Sequence, residues 1–471
     1  MREDFLHYLW KQARFNLGNL TTTTGENISI QDFGQYNTDA GPDFSGGQII
    51  LNGLHWAGNI EIHVNASEWY AHEHETDPAY DNVILHVVFE EDRPVFRRNG
   101  GRIPCLELKG RIPSGLLSSY WRLMHQKSWI ACQSRLHQVE VSVRQQWLEA
   151  LSRERLRMRS KRFAEKLEAV NGDWEEAFYQ SMSRALGSRV NADAMEMLAR
   201  SIPLRVVQKH KHSLLQLEAL FFGQSGLIPE AQDRDEDYLN LLRREYLVLR
   251  GKHQLRPIPV TVWRFLRLRP NAFPTIRIAQ LAAMLHRTGQ LFGKSLAAAD
   301  SRELMNMFEV SLSNYWRRHF RFGKEVANSN RRLGKATIQG ILINTITPAL
   351  AAYGQHRVDE RLEVRALQVL RSLPAEQNKV IRQWQQLGVN PASASDSQAL
   401  LQLKQGYCEK TRCTSCAIGC VILNRRYNQE DDAPLLSLNE AAQVYALAQP
   451  PALLTSPTPQ SPPPQVAAKR T

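Results

Sequence analysis

The sequence predicts an α+β protein: a small mixed β-sheet domain in the N-terminal part, followed by a larger, mainly α-helical domain. Three observations predict it. Short runs rich in β-branched residues crowd residues 27–110, apolar residues recur at helical spacing from about residue 115, and the charge changes sign between the two regions. The chain has 471 residues, 43% hydrophobic and 23% charged, which is enough to bury a core in two or three domains.

Residues 4–15 (DFLHYLWKQARF) place Phe5, Leu9 and Ala13 at helical spacing with Leu6 and Trp10 beside them, an amphipathic helix. The runs NISIQDF, GGQIILNG, LHWAGNIEIHV, DNVILHVVFEE and RIPCLEL, bounded by Gly, Asn, Pro and Asp, read as about five strands. Between the third and fourth, SEWYAHEHE reads as a short helix or loop. Further on, Trp147, Leu148, Leu151 and Leu156 open an apolar stripe that Phe163 and Leu167 continue. Trp174, Phe178, Met182 and Leu186 step by four, and Ile278, Leu281, Ala282 and Leu285 make another helix. Proline joints at 256–259 and 269–274 interrupt helices, because proline lacks the backbone N–H. The expected domains are residues 1–112, 113–425, and a C-terminal segment 426–471 whose Pro/Ser-rich tail is expected to be disordered. No internal repeat is evident.

Residues 1–110 hold eight Lys/Arg against sixteen Asp/Glu, a net of −8, so the remainder carries +20 of the chain's total of +12. A basic body points to a polyanionic partner, with nucleic acid foremost. The helix after residue 141 carries Arg153, Arg155, Arg157, Arg159, Lys161 and Arg162, and YWRRHFRFGK at 315–324 interleaves Tyr315, Trp316, Phe320 and Phe322 with arginines. Arg153, Arg157, Arg317, Arg318 and Arg321 are the candidate contacts, since cations among aromatics suit phosphate binding plus base stacking. A solvated basic helix face has the same pattern. Arg269, Asn271 and Arg277 either shape a site or belong to a proline-fixed turn. No stretch approaches the ~20 apolar residues of a membrane span. The opening MREDFLHYLWKQARF does not read as a signal peptide, so a cytoplasmic location is expected.

Residues 37–91 carry the densest chemistry. Asp43 precedes a strand and Glu61 and His63 lie on the next, where strand alternation sets them on one face opposite Ile60, Ile62 and Val64. Carboxylates on adjacent strands grip a divalent cation such as Mg²⁺ or Mn²⁺, and a neighbouring polar group orients or deprotonates the metal-bound water. His72 and His74, with Glu61 and His63, would make a histidine-rich site suited to Zn²⁺. His86 reads as a hydrogen-bonded core histidine or a further member.

The order helix, strand, Asp-strand, Glu-strand resembles the PD-(D/E)xK nuclease core, with Pro42-Asp43 as the PD element and Glu61-Ile62-His63 as the E-x-K element. The resemblance implies Asp43 and Glu61 as metal ligands. His63 stands where lysine is expected, which favours Mn²⁺ or Zn²⁺ over Mg²⁺. GPDF at 41–44, GNIEIHV at 58–64, SEWYAHEH at 67–74, YDNVILHVV at 80–88, FLRLRPNAFPTIRIAQLA at 265–282, ILINTITP at 341–348 and YCEKTRCTSCAIG at 407–419 carry a second resemblance, from residue 1 to about 425. It is to a bacterial family catalogued only as a domain of unknown function, and it implies no activity.

Cys408, Cys413, Cys416 and Cys420 fall within thirteen positions, a spacing that suits zinc or a [4Fe–4S] cluster acting as a structural staple. The family resemblance implies a pattern on the first three, leaving the fourth ligand open among Cys420, Cys132 and Cys105. Together these features lead to the expectation of a metal-dependent, nuclease-like protein, with Asp43 and Glu61 as ligands and His63 as water-orienting base or third ligand. The alternatives are a non-catalytic nucleic-acid-binding or adaptor protein on a degenerate nuclease core, and a His/Glu metal hydrolase of a small substrate.

Overall fold

The computed structural model describes residues 1–230, 237–329 and 331–430, without the side chains of 425–430; the expected tail lies outside the described residues. The fold is α+β, and the chain forms two compact units. A sheet unit contains Met1–Trp147 and the segment from Gly406 onward, and a helical unit contains Leu148–Gln405.

The sheet unit opens with helix α1 (Glu3–Lys11), which buries Phe5, Leu6, Tyr8, Leu9 and Trp10. Burial of each such side chain contributes about 1.5–3 kcal/mol. All five expected strand segments form: β1 (Ile28–Asp32), β3 (Phe44–Leu51), β4 (Leu54–Asn65), β5 (Val83–Glu90) and β6 (Cys105–Glu107), with a two-residue β2 (Gln35–Tyr36) added beside β3. The order is β1-β3-β4-β5-β6. The β1–β3 and β3–β4 pairs are antiparallel, while β4–β5 and β5–β6 are parallel. Asn52 and Gly53 join β3 to β4 with φ of 47° and 81°, the left-handed pair a two-residue hairpin turn requires. The parallel β4–β5 connection must cross over the sheet, and it does so through α2 (Glu68–Ala71) and a 3₁₀ turn at Pro78–Tyr80.

The two compact units do not coincide with the expected bounds at 112 and 425. Helix α3 (Ser114–His125) and the cysteine segment belong to the sheet unit, because α1 needs cover on the side away from the sheet. Tyr120 of α3 stacks on Phe5 with ring centroids 3.9 Å apart. Tyr8 Oη donates to Asn424 Oδ1 at 2.6 Å on the helix Ala417–Glu430.

In the helical unit, the stripe from Trp147 to Leu167 becomes one 29-residue helix, α4 (Val141–Ala169), which begins in the sheet unit. The other two expected helices form as α5 (Trp174–Leu186) and Pro274–Arg287, and α6 (Ala192–Ser201) packs on α5. Trp316 is fully buried and stacks on Phe222 at 4.5 Å. Its Nε1 donates to Tyr238 Oη at 2.9 Å, and that hydroxyl donates to Glu218 Oε2 at 2.9 Å.

Burial pushes the Glu218 carboxyl up to about 7. A folded-state value above the unfolded one means the stability contribution is full below pH 4.5 and is lost as the pH rises through about 7. Glu218→Gln is therefore expected to stabilise the helical unit at pH 8 by on the order of 2–3 kcal/mol and to leave pH 4 stability nearly unchanged. Thermal melts of both proteins across this range check it, and a parallel loss in both would remove Glu218 as the cause.

Candidate functional site

Backbone irregularity aims the first carboxylate. The β3–β4 register slips between Phe44 and Gly47, which face Ile60 and Gly58, so β3 carries an extra residue, with Gly46 at φ 71°. Asp43, just ahead of this bulge, pairs reciprocally with β4. Its Oδ2 accepts from Ile62 N at 3.0 Å, and its own N–H donates to Glu61 Oε2 at 3.0 Å. Both carboxylates are thus fixed by backbone.

Glu61 and His63 share one face of β4 and are 5% and 1% exposed. His86 pairs in register with Glu61 across the parallel ladder, and its Nε2 lies 2.9 Å from His63 Nδ1. The crossover supplies the rest. Trp69 is fully buried against the rings of His74, Tyr80 and His86. Glu73 adopts φ 61°, a left-handed conformation that costs a non-glycine residue stability, and it turns the chain between His72 and His74. Tyr80 stacks on His74 at 3.8 Å. The result is convergence: His63 Nε2 lies 3.2 Å from His72 Nδ1 and 3.7 Å from Glu61 Oε1, and His74 Nε2 lies 3.4 Å from the same oxygen. The donor nitrogens of His63, His72 and His74 all fall within 4.8 Å of one another. His72 is exposed and forms the solvent side.

Sequence reasoning missed two members. Helix α1 projects Glu3 and His7, one turn apart, onto Asp43, with His7 Nε2 3.1 Å from Asp43 Oδ2 and 3.5 Å from Glu3 Oε1. These three also lie within 4.8 Å of one another. The available signal was the i,i+4 Glu–His pair on an amphipathic helix.

Electrostatics separates the two groups. Burial, then the neighbouring histidines, hold His63 down at about 2 and His86 at about 3, so both stay neutral with a lone pair free. A neutral His63 can present Nε2 to a cation while Nδ1–H donates to His86, the outer-shell role that fixes a ligand's orientation. Burial raises Glu61. Burial also lifts Glu3 to about 7, with the nearby Asp43 and Glu61 adding to it. Burial opposes charging of His7, but its pairing with Asp43 outweighs that and raises it.

The cysteines cluster less tightly. Cys132 and Cys420 each lie within electrostatic reach of Cys413 and Cys416, whereas Cys105 is buried in the sheet's core on β6. Burial pushes the thiols of Cys132 and Cys413 up to about 12. Cys420 Sγ donates to Thr414 O at 3.2 Å. Cys408 ends a π-helical turn, Leu403–Cys408. Among the described residues no three sulfurs fall within 4.8 Å of one another.

The arginines expected at nucleic acid are engaged locally. Arg153 and Arg157 share Glu363 at 3.6 and 3.3 Å, and Arg318 faces Glu325 at 3.8 Å. Arg321 lies over the rings of Phe265 and Phe273, and Arg317 is half-buried beside Trp316. Arg277 is buried on Gln280 and Thr337, which gives it a structural role, while Arg269 caps the 3₁₀ turn Pro270–Ala272 and Asn271 lies within it.

Neither curated proteins nor solved structures give a match to the chain. A family model does, over residues 3–379; it covers every histidine and carboxylate of the cluster and ends before Cys408, short of the limit near 425 that the resemblance implied. On that match the chain belongs to the family described as protein of unknown function (DUF2851).

Proposed function

We propose that the sheet unit is a metal-dependent hydrolase of nuclease type, with its cation held by Glu61, His63, His72 and His74. One observation carries this reading. Tetrahedral bonds of about 2.0–2.1 Å place neighbouring donors roughly 3.3 Å apart. Three of the six donor separations are 3.2, 3.4 and 3.7 Å, and the three imidazole donors all lie within 4.8 Å of one another. An imidazole-rich set favours Zn²⁺ or Mn²⁺ over Mg²⁺. A cation there would polarise a phosphoryl oxygen and acidify a bound water. Asp43 and His7, paired at 3.1 Å, stand beside it to hold or move the water's proton, and Glu3 makes the position fit for a second cation. Support for the nuclease type comes from the order α1, Asp43 at the head of β3, Glu61-x-His63 on β4, and a parallel β5. Nucleic acid is the polyanion that this reading assigns to the basic remainder of the chain. Zinc or an iron–sulfur cluster on Cys413, Cys416 and Cys132, with Cys408 or Cys420 as fourth ligand, would staple the C-terminal segment to the turn that begins at Cys132.

The test is cleavage of single- and double-stranded DNA and RNA with Mn²⁺, Zn²⁺ or Mg²⁺. Asp43→Ala and His72→Ala are each expected to lose at least about 100-fold in turnover. Equal turnover by all three proteins would sink the proposal. The net charge of −8 over residues 1–110 favours a second reading, hydrolysis of a small substrate, because an acidic surround repels a polyanion. That reading predicts metal-dependent turnover of small esters and indifference to nucleic acid.

A further inference from the structure

The helical unit contains a cavity of about 530 Å³ whose wall is unusually cationic. Arg159, Arg162 and Lys166 come from α4, and Arg184 and Arg189 come from the end of α5 and the loop after it; Glu196 on α6 is the one carboxylate among the lining residues. That carboxylate is shared, with Lys166 at 2.7 Å and Arg184 and Arg200 both at 2.8 Å. Arg162 and Arg189 make no ion pair among the described residues. The partners of Arg159 are neutral, Asn344 Oδ1 at 2.5 Å and Ile343 O at 3.5 Å.

Like charges crowded together destabilise one another unless an anion sits among them. Burial brings the Arg159 guanidinium down to about 10, with Arg155 and Arg162 adding to it and Glu376 opposing it. A second feature sits in the same wall. Asn344 lies on a π-helical turn, Leu342–Ile346, and such widened turns concentrate at functional sites. Ser181 and Ser188 add hydroxyls to the lining. Guanidinium forks match phosphate oxygens two at a time, and four of the five cations are arginines.

We propose that this cavity binds a compact polyphosphate, either free inorganic pyrophosphate or triphosphate, or the phosphate tail of a nucleoside di- or triphosphate. Its size lies in the ~300–1,000 Å³ range of small-ligand pockets. The cations surround one concavity rather than tracking along a groove, which favours a small anion over a nucleic-acid strand. This site does not depend on the chemistry of the sheet unit.

Calorimetric titration of the full chain in EDTA keeps the sheet unit's cation out of the measurement. The probes are pyrophosphate, triphosphate, ATP, ADP, AMP and adenosine. Affinity is expected to rise with phosphate number, with no binding of adenosine. The double substitution Arg162→Ala with Arg189→Ala removes two exposed side chains and is expected to weaken binding at least about tenfold with the melting temperature unchanged. ATP binding tighter than triphosphate assigns the nucleoside source, and equal binding assigns the inorganic one. The proposal is overturned by no binding at about 1 mM of any probe. It is equally overturned by undiminished binding in the double variant, or by affinity that grows with the length of a single-stranded oligonucleotide.

Discussion

Glu61→Gln is expected to weaken Zn²⁺ or Mn²⁺ binding by at least about 100-fold while leaving the metal-free protein as stable as the wild type, or more so. The two effects have opposite signs for one reason. In the absence of a cation, burial raises the Glu61 carboxyl, so its charge is a liability to the fold. The amide keeps an oxygen to accept from Asp43 N, the 3.0 Å bond that ties β3 to β4. What the amide lacks is the negative charge that a cation between His63 and His74 would use. Titration calorimetry gives the first quantity and thermal melts in EDTA give the second. Unaltered metal affinity would take Glu61 out of the donor set. A large fall in metal-free stability would show that the charge serves the fold.

Gly419→Ala is expected to destabilise the sheet unit by about 3 kcal/mol, a fall in melting temperature of roughly 6–12 °C. A methyl at this position collides with the Cys413 carbonyl oxygen and comes within 2.9 Å of the Cys413 carbonyl carbon and 3.0 Å of its Cα. These are backbone atoms, so no rotamer change relieves the contact. The turn Cys413–Ser415 must move off the C-terminal helix, and α1 packs on that turn. The control is Gly251→Ala, on the helix Asp237–His253, where the new methyl meets nothing within 4 Å. That change should stabilise by about 0.5–1 kcal/mol through helix propensity alone. Calorimetry of both variants decides the matter, with zinc and iron content as an independent readout of the cysteine centre. A Gly419→Ala melt like that of the wild type would show that the turn can relax without loss.

The strands were legible because β-branched content and bounding turn residues are local properties, and GGQIILN and NVILHVV show them within eight residues. The face shared by Glu61 and His63 was legible because strand alternation is local too. The role of α1 was hidden. Its periodicity says which side is apolar, but the polar residue His7 meets Asp43 only through a tertiary contact no spacing encodes. The grouping of the two ends of the chain in one compact unit was hidden likewise, since a sequence cannot show that Tyr8 reaches Asn424. The interleaved aromatics at 315–322 misled in a different way. Trp316 and Tyr315 look like a stacking platform for bases, yet they stack on Phe222 and Tyr238, because a large apolar ring gains more from burial than from solvent. On α4 the basic run was visible, but which of its cations lack a carboxylate depends on Glu363 and Glu196, far away along the chain.

The sheet unit's two stretches of chain flank the entire helical unit, and the side chain of Arg2 bonds Thr411, 409 positions away. During synthesis this imposes a schedule. The sheet and then the helical unit leave the ribosome while the outer side of α1 still lacks the partner that Asn424 supplies. Tyr120 can stack on Phe5 early, but the Tyr8–Asn424 bond, a second brace on the helix that presents Glu3 and His7, forms only when the last turns of the described chain have been translated, so full bracing of that helix is a late event in the protein's biogenesis.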